Sequence, residues 1–447
     1  MFHRLLLSLV LLLALARPAA AYFPFDDDAG VAPSNLGQNP FLWGVALSGY
    51  QNDGSVPSMD WYALEHSGKL RETSANGPDF RGHMDADLDL AKSLGLTAFR
   101  TSIEWARIEP QQGQIDADEV AYVHRLLQGI RKRGMTPIVT LHHFATPQWA
   151  IADRGDGLMG WESARTTEAY LKYVEFVAKE YGKEIDYYIT FNEPSTLIGG
   201  AYLLGWTVPY KMGPMATARA VLNVLTGHLG AYERLHALDP GCMVTLAEYN
   251  SFFPVANTGF YYLPNQIAGL LMEKEPGWDG KPRVKAMDFI ALHYYGTVDA
   301  GALQFPVQPY NWGVSTSHFH EILKAYHETF HLPILVAENG FATKNGSARE
   351  DGWTRESYMV AHIQEIMRAR ADGIPIIGYL YWTLTDNFEW GSYEPRFGLW
   401  SVDCSKGDLT RRETPAAAVY REIIKQHGVT AELAKRYPPP DTLTGAR

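Results

Sequence analysis

Alternation between short apolar runs and helix-forming stretches constrains this chain more than any other feature. Eight strand-like runs recur, at residues 41–48, 97–105, 136–143, 186–192, 243–248, 288–295, 333–338 and 376–384. Their apolar character is nearly continuous, as expected of parallel strands buried on both faces. Helical periodicity fills most of the gaps. Val120, Val123, Leu127 and Ile130 form one face ahead of Gly134, which is placed to end that helix. Leu171, Val174, Ala178 and Tyr181 do the same ahead of Gly182, and 357–370 and 416–426 read as two further helices. Eight βα units favour an α/β fold of the closed kind, a (β/α)8 or TIM barrel, over an open doubly wound sheet. No glycine-rich phosphate loop follows the first run, which also argues against a dinucleotide fold. The 447 residues suit one barrel domain, because such barrels run longer than average.

The two ends read differently from the body. His3 and Arg4 precede an apolar run from Leu5 to Ala16, Arg17-Pro18 breaks it, and Ala19-Ala20-Ala21 supplies small residues before Tyr22. The run is too short to span a bilayer and fits a signal peptide over 1–21, so a secreted or periplasmic protein is expected. The barrel is then expected over 22–428, with 429–447 a C-terminal tail, Pro-rich and frayed from residue 438. Residues 249–283 lack a clean helical pattern and read as a loop-rich crossover. The net charge of −11 comes with no block of Lys and Arg, which excludes a nucleic-acid footprint. No later apolar run is long enough to engage a membrane once the signal segment is removed. Cys242 and Cys404 make neither a disulfide framework nor a metal-ligand spacing, so no bridge, metal or cofactor is expected. Asn345-Gly346-Ser347 is a glycosylation sequon, relevant in a eukaryotic secretory pathway.

Catalytic groups of a β/α barrel come from the C-terminal ends of its strands. The fourth run ends Thr190-Phe191-Asn192-Glu193-Pro194, and the seventh ends Val336-Ala337-Glu338-Asn339-Gly340. Either Glu alone would read as a surface or salt-bridged residue. Together they place two carboxylates in one barrel mouth, and a separation of about 5–5.5 Å would support glycoside cleavage by double displacement. The 12 Trp and 25 Tyr suit a sugar site, since aromatic faces pack on sugar C–H surfaces, although they also fill cores.

These segments resemble glycoside hydrolase family 1, the β-glucosidase family. Thr190–Pro194 is similar to its acid/base motif and Glu338-Asn339-Gly340 to its nucleophile motif. The segment from Phe99 to Ile108 resembles its second strand, and Asn387-Phe388-Glu389-Trp390 with Arg396-Phe397-Gly398 its eighth. The matches run in order from about residue 41 to residue 400. The resemblance implies that Glu338 is the nucleophile and Glu193 the acid/base. It implies that Arg100 and Tyr295 support the nucleophile and that Asn192 binds the sugar 2-hydroxyl. Gln51, His143 and Glu389 would hold the other ring hydroxyls, Trp382 would lie under the ring with Trp390 and Phe397 beside it, and Trp312 would line the aglycone side.

The resemblance also departs from the family pattern. The third strand reads His142-His143-Phe144-Ala145 where the family commonly has Tyr-His-Trp-Asp. Asp53 replaces a glutamate after Gln51, and His293 replaces an asparagine before the two tyrosines. The stretch between Asn250 and Asp288 is short for the family. A carboxylate such as Glu389 accepts bonds from neutral hydroxyls and repels phosphate, so neutral sugars outrank 6-phosphosugars. The expected activity is therefore a retaining exo-β-glycosidase acting on a small glycoside or oligosaccharide. A β-glucoside is the leading substrate, ahead of a galactoside or fucoside. Transglycosylation and endo-cleavage use the same two glutamates, and a non-catalytic sugar-binding protein would have lost one of them. Oligomeric state leaves no trace in the sequence.

Overall fold

The computed structural model describes residues 41–75, 77–250, 286–297 and 308–440. All eight runs contain a strand: β1 Leu42–Ala46, β2 Ala98–Ser102, β3 Thr136–Thr140, β4 Tyr187–Asn192, β5 Met243–Tyr249, β6 Ile290–His293, β7 Ile334–Asn339 and β8 Ile376–Trp382. Each pairs in parallel with the next, and β8 returns to β1, so the sheet closes as a barrel. Closure is tight at Gly44, which sits opposite both Ala98 and Leu380. A Cβ there would lie 2.5 Å from Leu380 Cδ2 and 2.7 Å from the Ala98 carbonyl oxygen, so only hydrogen fits.

Continuous apolarity along each strand resolves into two cores. Ala46, Ala98, Ile138, Ile189, Ala291, Leu335 and Leu380 fill the barrel interior. Their neighbours Val45, Phe99, Val139, Tyr188, Ile290, Val336 and Tyr379 pack outward against the helices. Successive side chains of a strand point to opposite faces, and here both faces are dry.

The outer layer contains α1 Phe80–Ser93, α2 Ala117–Lys132, α3 Ala164–Tyr181, α4 Pro214–Leu238, α5 Thr316–Phe330, α6 Arg355–Ala371 and α7 Pro415–Gln426. Helix α2 is specified locally at both ends. Asp116 caps its start by accepting from the Glu119 N–H (2.9 Å), and Arg131 and Lys132 occupy its last turn. Gly134 follows with φ of +76°, as its expected stop role requires.

Helix α3 ends at Tyr181 with Gly182 at its C-cap, as expected, although Gly182 stays right-handed with φ of −53° and a 3-10 turn, Gly182–Glu184, follows. Two expectations need correction. The run 97–105 is strand only to Ser102, because Trp105 leaves the sheet to stack on Tyr173 of α3 at 5.5 Å. The region 429–447, expected as a tail, contains helix α8, Ala431–Arg436. Thr430 caps it by accepting from the Leu433 N–H (3.2 Å), and the Leu433 side chain is fully buried in the outer core.

Cys242 and Cys404 are both free. No helix among the described residues is long and apolar enough to cross a membrane. The expected signal segment, most of the expected crossover after Tyr249 and the last seven residues lie outside the described residues. Replacing Leu433 with Ala should cost about 2–4 kcal/mol of unfolding free energy, the usual loss for emptying a buried leucine site. Urea denaturation of the full chain reads this, and an unchanged midpoint would show that α8 is not part of the cooperative unit.

Candidate active site

Strand β4 delivers Glu193 through an abrupt change of backbone direction. Asn192 ends the strand, Glu193 adopts φ 44° and ψ 60°, and a short helix, Pro194–Ile198, starts at once. Pro194 at the first helical position suits this start, because the missing N–H would lack a partner there anyway. The Glu193 N–H donates to the Ala247 carbonyl of β5 (2.8 Å), which holds the turn in place. A non-glycine residue in the left-handed region costs of order 1–3 kcal/mol and persists only where its surroundings fix it.

Arg100, projecting from β2 and fully buried, organises the centre. Its Nη1 donates to Glu338 Oε1 (2.5 Å) and to the Ala337 carbonyl (3.2 Å). The same nitrogen lies 3.0 Å from His293 Nε2. Its Nη2 donates to Asn192 Oδ1 (2.5 Å), and its Nε to Thr140 Oγ1 (3.1 Å). Because Oδ1 is taken, the Asn192 amide is oriented with its NH2 as the remaining donor. The Tyr295 hydroxyl donates to the second oxygen of Glu338 (2.6 Å). Both Glu338 oxygens are therefore held, one by a cation and one by a phenol.

His293 joins this cluster to the other carboxylate, with Nδ1 2.8 Å from Glu193 Oε1. One polar atom each from Glu193, His293 and Glu338 lies within 4.8 Å of the other two. Such a triad could suggest a divalent metal. However, the Arg100 guanidinium already contacts Nε2 and Glu338 Oε1, two atoms a cation would need, and it repels a second positive charge. The donor set fits a hydrogen-bonded chain.

Burial separates the chemical states of these groups. It pushes the Glu193 carboxyl up to about 7, against the lowering effects of the Thr196 hydrogen bond and the Arg100 charge. Burial also brings His293 down to about 3, so its imidazole is neutral. His143 is lowered well below its ordinary value, first by burial and then by Arg100 and His293.

A second group of side chains lines the same mouth. Trp382, at the end of β8, donates its indole N–H to Glu389 Oε1 (2.9 Å). Gln51 donates to the Phe388 carbonyl (3.1 Å) and to Glu389 Oε2 (3.4 Å). His143 lies nearly parallel to Trp382, with centroids 6.1 Å apart. Burial pushes the Glu389 carboxyl up to about 8, opposed by the Trp382 bond and reinforced by the charge of Glu338. Trp312 and Phe397 flank Tyr295 at 5.6 and 5.7 Å between ring centroids. Trp390 packs against Trp61 (4.9 Å), Phe144 (4.7 Å) and Tyr50 (6.0 Å).

The fold thus gathers Arg100, Asn192, Glu193, Tyr295 and Glu338 through hydrogen bonds linked by Arg100 and His293. Gln51, Trp382 and Glu389 form a second hydrogen-bonded group, with His143 alongside. Trp312 and Phe397 make the wall by Tyr295, while Trp390 is half-buried in an aromatic cluster of its own. Sequence reasoning assigned no role to His293, seen only as a departure from a pattern. Tyr249, at 5.9 Å from Tyr295 and 5.8 Å from Trp312, was also missed. Its position at the end of β5 was the available signal.

The family model for glycosyl hydrolase family 1 matches residues 35–257 and 284–429. The chain belongs to this family. It is a glycoside hydrolase of the β-glycosidase type, on the (β/α)8 barrel described above. A β-galactosidase of Saccharolobus solfataricus is 26% identical, covering 88% of this chain and 96% of its own length. A galactolipid galactosyltransferase of Arabidopsis thaliana is 28% identical, over 77% of this chain and 58% of its own. Among solved structures, a β-glucosidase from Thermotoga maritima in complex with noeuromycin superposes with a TM-score of 0.73 at 25% identity. That match covers 87% of this chain and 98% of the other.

Replacing Arg100 with Met should destabilise the fold by about 3–5 kcal/mol, because it strands a buried carboxylate. Adding Glu338→Gln to that variant should recover most of the loss. Chemical denaturation of the single and double variants reads the difference, and equal losses would contradict the pairing.

Proposed function

We propose that this glycosidase is a retaining exo-enzyme that removes a terminal neutral sugar, foremost a β-glucoside, with Glu338 as nucleophile and Glu193 as acid/base. The observation that carries this reading is the close approach of two carboxyls held in different environments. One oxygen of each lies within 4.8 Å of the other, in line with the short spacing of about 5–5.5 Å that retaining enzymes use. Inverting enzymes need about 6.5–9.5 Å to admit a water. Glu338 is gripped by Arg100 and Tyr295, which fix its orientation for attack on the anomeric carbon. Glu193, raised to about 7, keeps a proton to give.

In the first step Glu338 bonds to the anomeric carbon while Glu193 protonates the departing oxygen. In the second, water attacks the same carbon, Glu193 takes its proton, and Glu338 leaves. Asn192, with its NH2 free to donate, is suited to the 2-hydroxyl, and Gln51, His143 and Glu389 to the other ring hydroxyls. Trp382 offers an apolar face to the ring, Trp390 and Phe397 flank it, and Trp312 serves the aglycone side. The carboxyl of Glu389 supports neutral sugars over phosphorylated ones, and galactosides or fucosides are further candidates. The galactosyltransferase relative supports a second reading, in which an acceptor hydroxyl replaces water in the second step. The N-terminal pattern over residues 1–21 supports export from the cytoplasm.

Glu338→Ala should abolish turnover, and added azide should restore it with a glycosyl azide of inverted anomeric configuration. Restored product of retained configuration would contradict the nucleophile assignment. Glu193→Ala should lose roughly 10²–10⁴-fold on substrates with poor leaving groups and far less on dinitrophenyl glycosides. Equal losses on both would argue against its role. Because the first step needs protonated Glu193, kcat/KM should fall as pH rises through about 7. A pH profile on a nitrophenyl glycoside tests that sign. A panel of nitrophenyl β-glycosides, with 6-phosphoglucoside included, tests the sugar, and a sugar-acceptor series separates transfer from hydrolysis.

A further inference from the structure

His293 occupies a position that a purely structural side chain would not need. It is fully buried, and it bridges the two carboxyl groups whose roles are proposed above. Its proton can be placed from its neighbours. Arg100 carries only donors, so Nε2, 3.0 Å from Nη1, faces it with its lone pair and shares the two Nη1 hydrogens with Glu338 Oε1 and the Ala337 carbonyl. A neutral imidazole that accepts at Nε2 carries its hydrogen on Nδ1. Nδ1 lies 2.8 Å from Glu193 Oε1 and therefore donates to it. The imidazolium is disfavoured, because it would set Nε2–H against the guanidinium, and burial opposes it as well. The charged and titratable groups facing the ring are Arg100 from β2, His143 after β3, Glu193 after β4 and Glu338 from β7. The backbone is fixed too, since the His293 carbonyl accepts from the Asn250 N–H (3.0 Å).

We infer that His293 is a positioning residue that couples the two carboxylates, selecting the proton-bearing oxygen of Glu193 and keeping Glu193 ionised, and so able to serve as the base, once Glu338 is esterified. The inference rests on the acid/base and nucleophile roles proposed above. In the first step Oε1 of Glu193 is occupied as an acceptor, so the transferable proton sits on Oε2. That proton passes to the leaving oxygen, which also receives the electron pair of the broken C–O bond. When Glu338 has bonded to the anomeric carbon, its full negative charge is gone. The Arg100 cation is then less neutralised and pulls harder on the Nε2 lone pair. The ring is polarised, its Nδ1–H becomes a stronger donor, and the Glu193 carboxylate is held in its ionised form, ready for the second step in which water gives up a proton. The water oxygen bonds to the anomeric carbon, and the ester electron pair returns to Glu338. Hydrogen bonds thus carry the loss of charge at one carboxylate to the other, through Arg100 and His293.

Three substitutions separate this role from simple packing. His293→Ala removes both contacts. His293→Asn can keep a donor near the Nδ1 position, because its amide nitrogen also branches from Cγ, but it does not reach Arg100. His293→Gln can keep an acceptor for Arg100 while losing the donor to Glu193. The first readout is the alkaline limb of kcat/KM on an aryl glycoside with a poor leaving group. The second is the rate of the deglycosylation step, from the pre-steady-state burst with a dinitrophenyl glycoside. Loss of the donor should raise the alkaline limb by about 1 pH unit in the Ala and Gln variants and slow deglycosylation roughly 10–100-fold. The Asn variant should return the limb close to its original position but recover deglycosylation only in part. An unshifted limb in Ala or Gln variants that melt normally would overturn the coupling, as would equal slowing of both steps. Azide rescue of Glu338→Ala and the leaving-group dependence of Glu193→Ala decide the underlying roles independently, so the two failures are distinguishable.

Discussion

A single buried guanidinium sets the geometry of the barrel mouth. Arg100 has no exposed surface and directs its donors to Glu338, Asn192, Thr140, a backbone carbonyl and the ring of His293. These groups come from β3, β4, β6 and β7, so one side chain projecting from β2 ties together five of the eight strands at the end where chemistry is expected. A buried cation is tolerable only when paired and hydrogen-bonded. Here that requirement fixes the position of each partner. The planar fork of arginine matters, because a lysine would present a point charge without fixed directions.

The two central carboxyls are chemically identical groups made different by their surroundings. Glu338 lies on the strand itself and is held by a cation and a phenolic hydroxyl. Glu193 lies one residue past its strand, in a left-handed backbone conformation, against a neutral histidine and with its proton affinity raised by burial. That asymmetry underlies the proposed division of labour between an anion and a proton donor. The same barrel closure that buries the strands also buries Glu193 and Glu338, and burial strengthens the electrostatic contacts between them.

Much of the fold was readable because parallel strands buried on both faces must be apolar throughout, and eight such runs in one chain leave few architectures open. Helix α2 was readable to its last turn, since its cap, its charged last turn and Gly134 all agree. Reading failed where packing at a distance overrode the local signal. Trp105 looked like strand but is claimed by Tyr173. Helix α8 was hidden because its short apolar stripe only makes sense against the outer core in which Leu433 is buried.

The sequence by itself determined the barrel, its eight strands, the two glutamates at strand ends, and the residue types that suit a sugar pocket. Strand periodicity and strand-end position are local properties, and local properties survive in one dimension. Only the tertiary structure decided how those residues combine. It placed the Nδ1 of His293 against Glu193 and its Nε2 against Arg100, it joined Gln51 and Trp382 to Glu389, and it turned Trp390 toward Trp61 and Phe144. These contacts span up to several hundred residues of chain, and the identity of a side chain carries no record of which distant partner the closing barrel will bring to it.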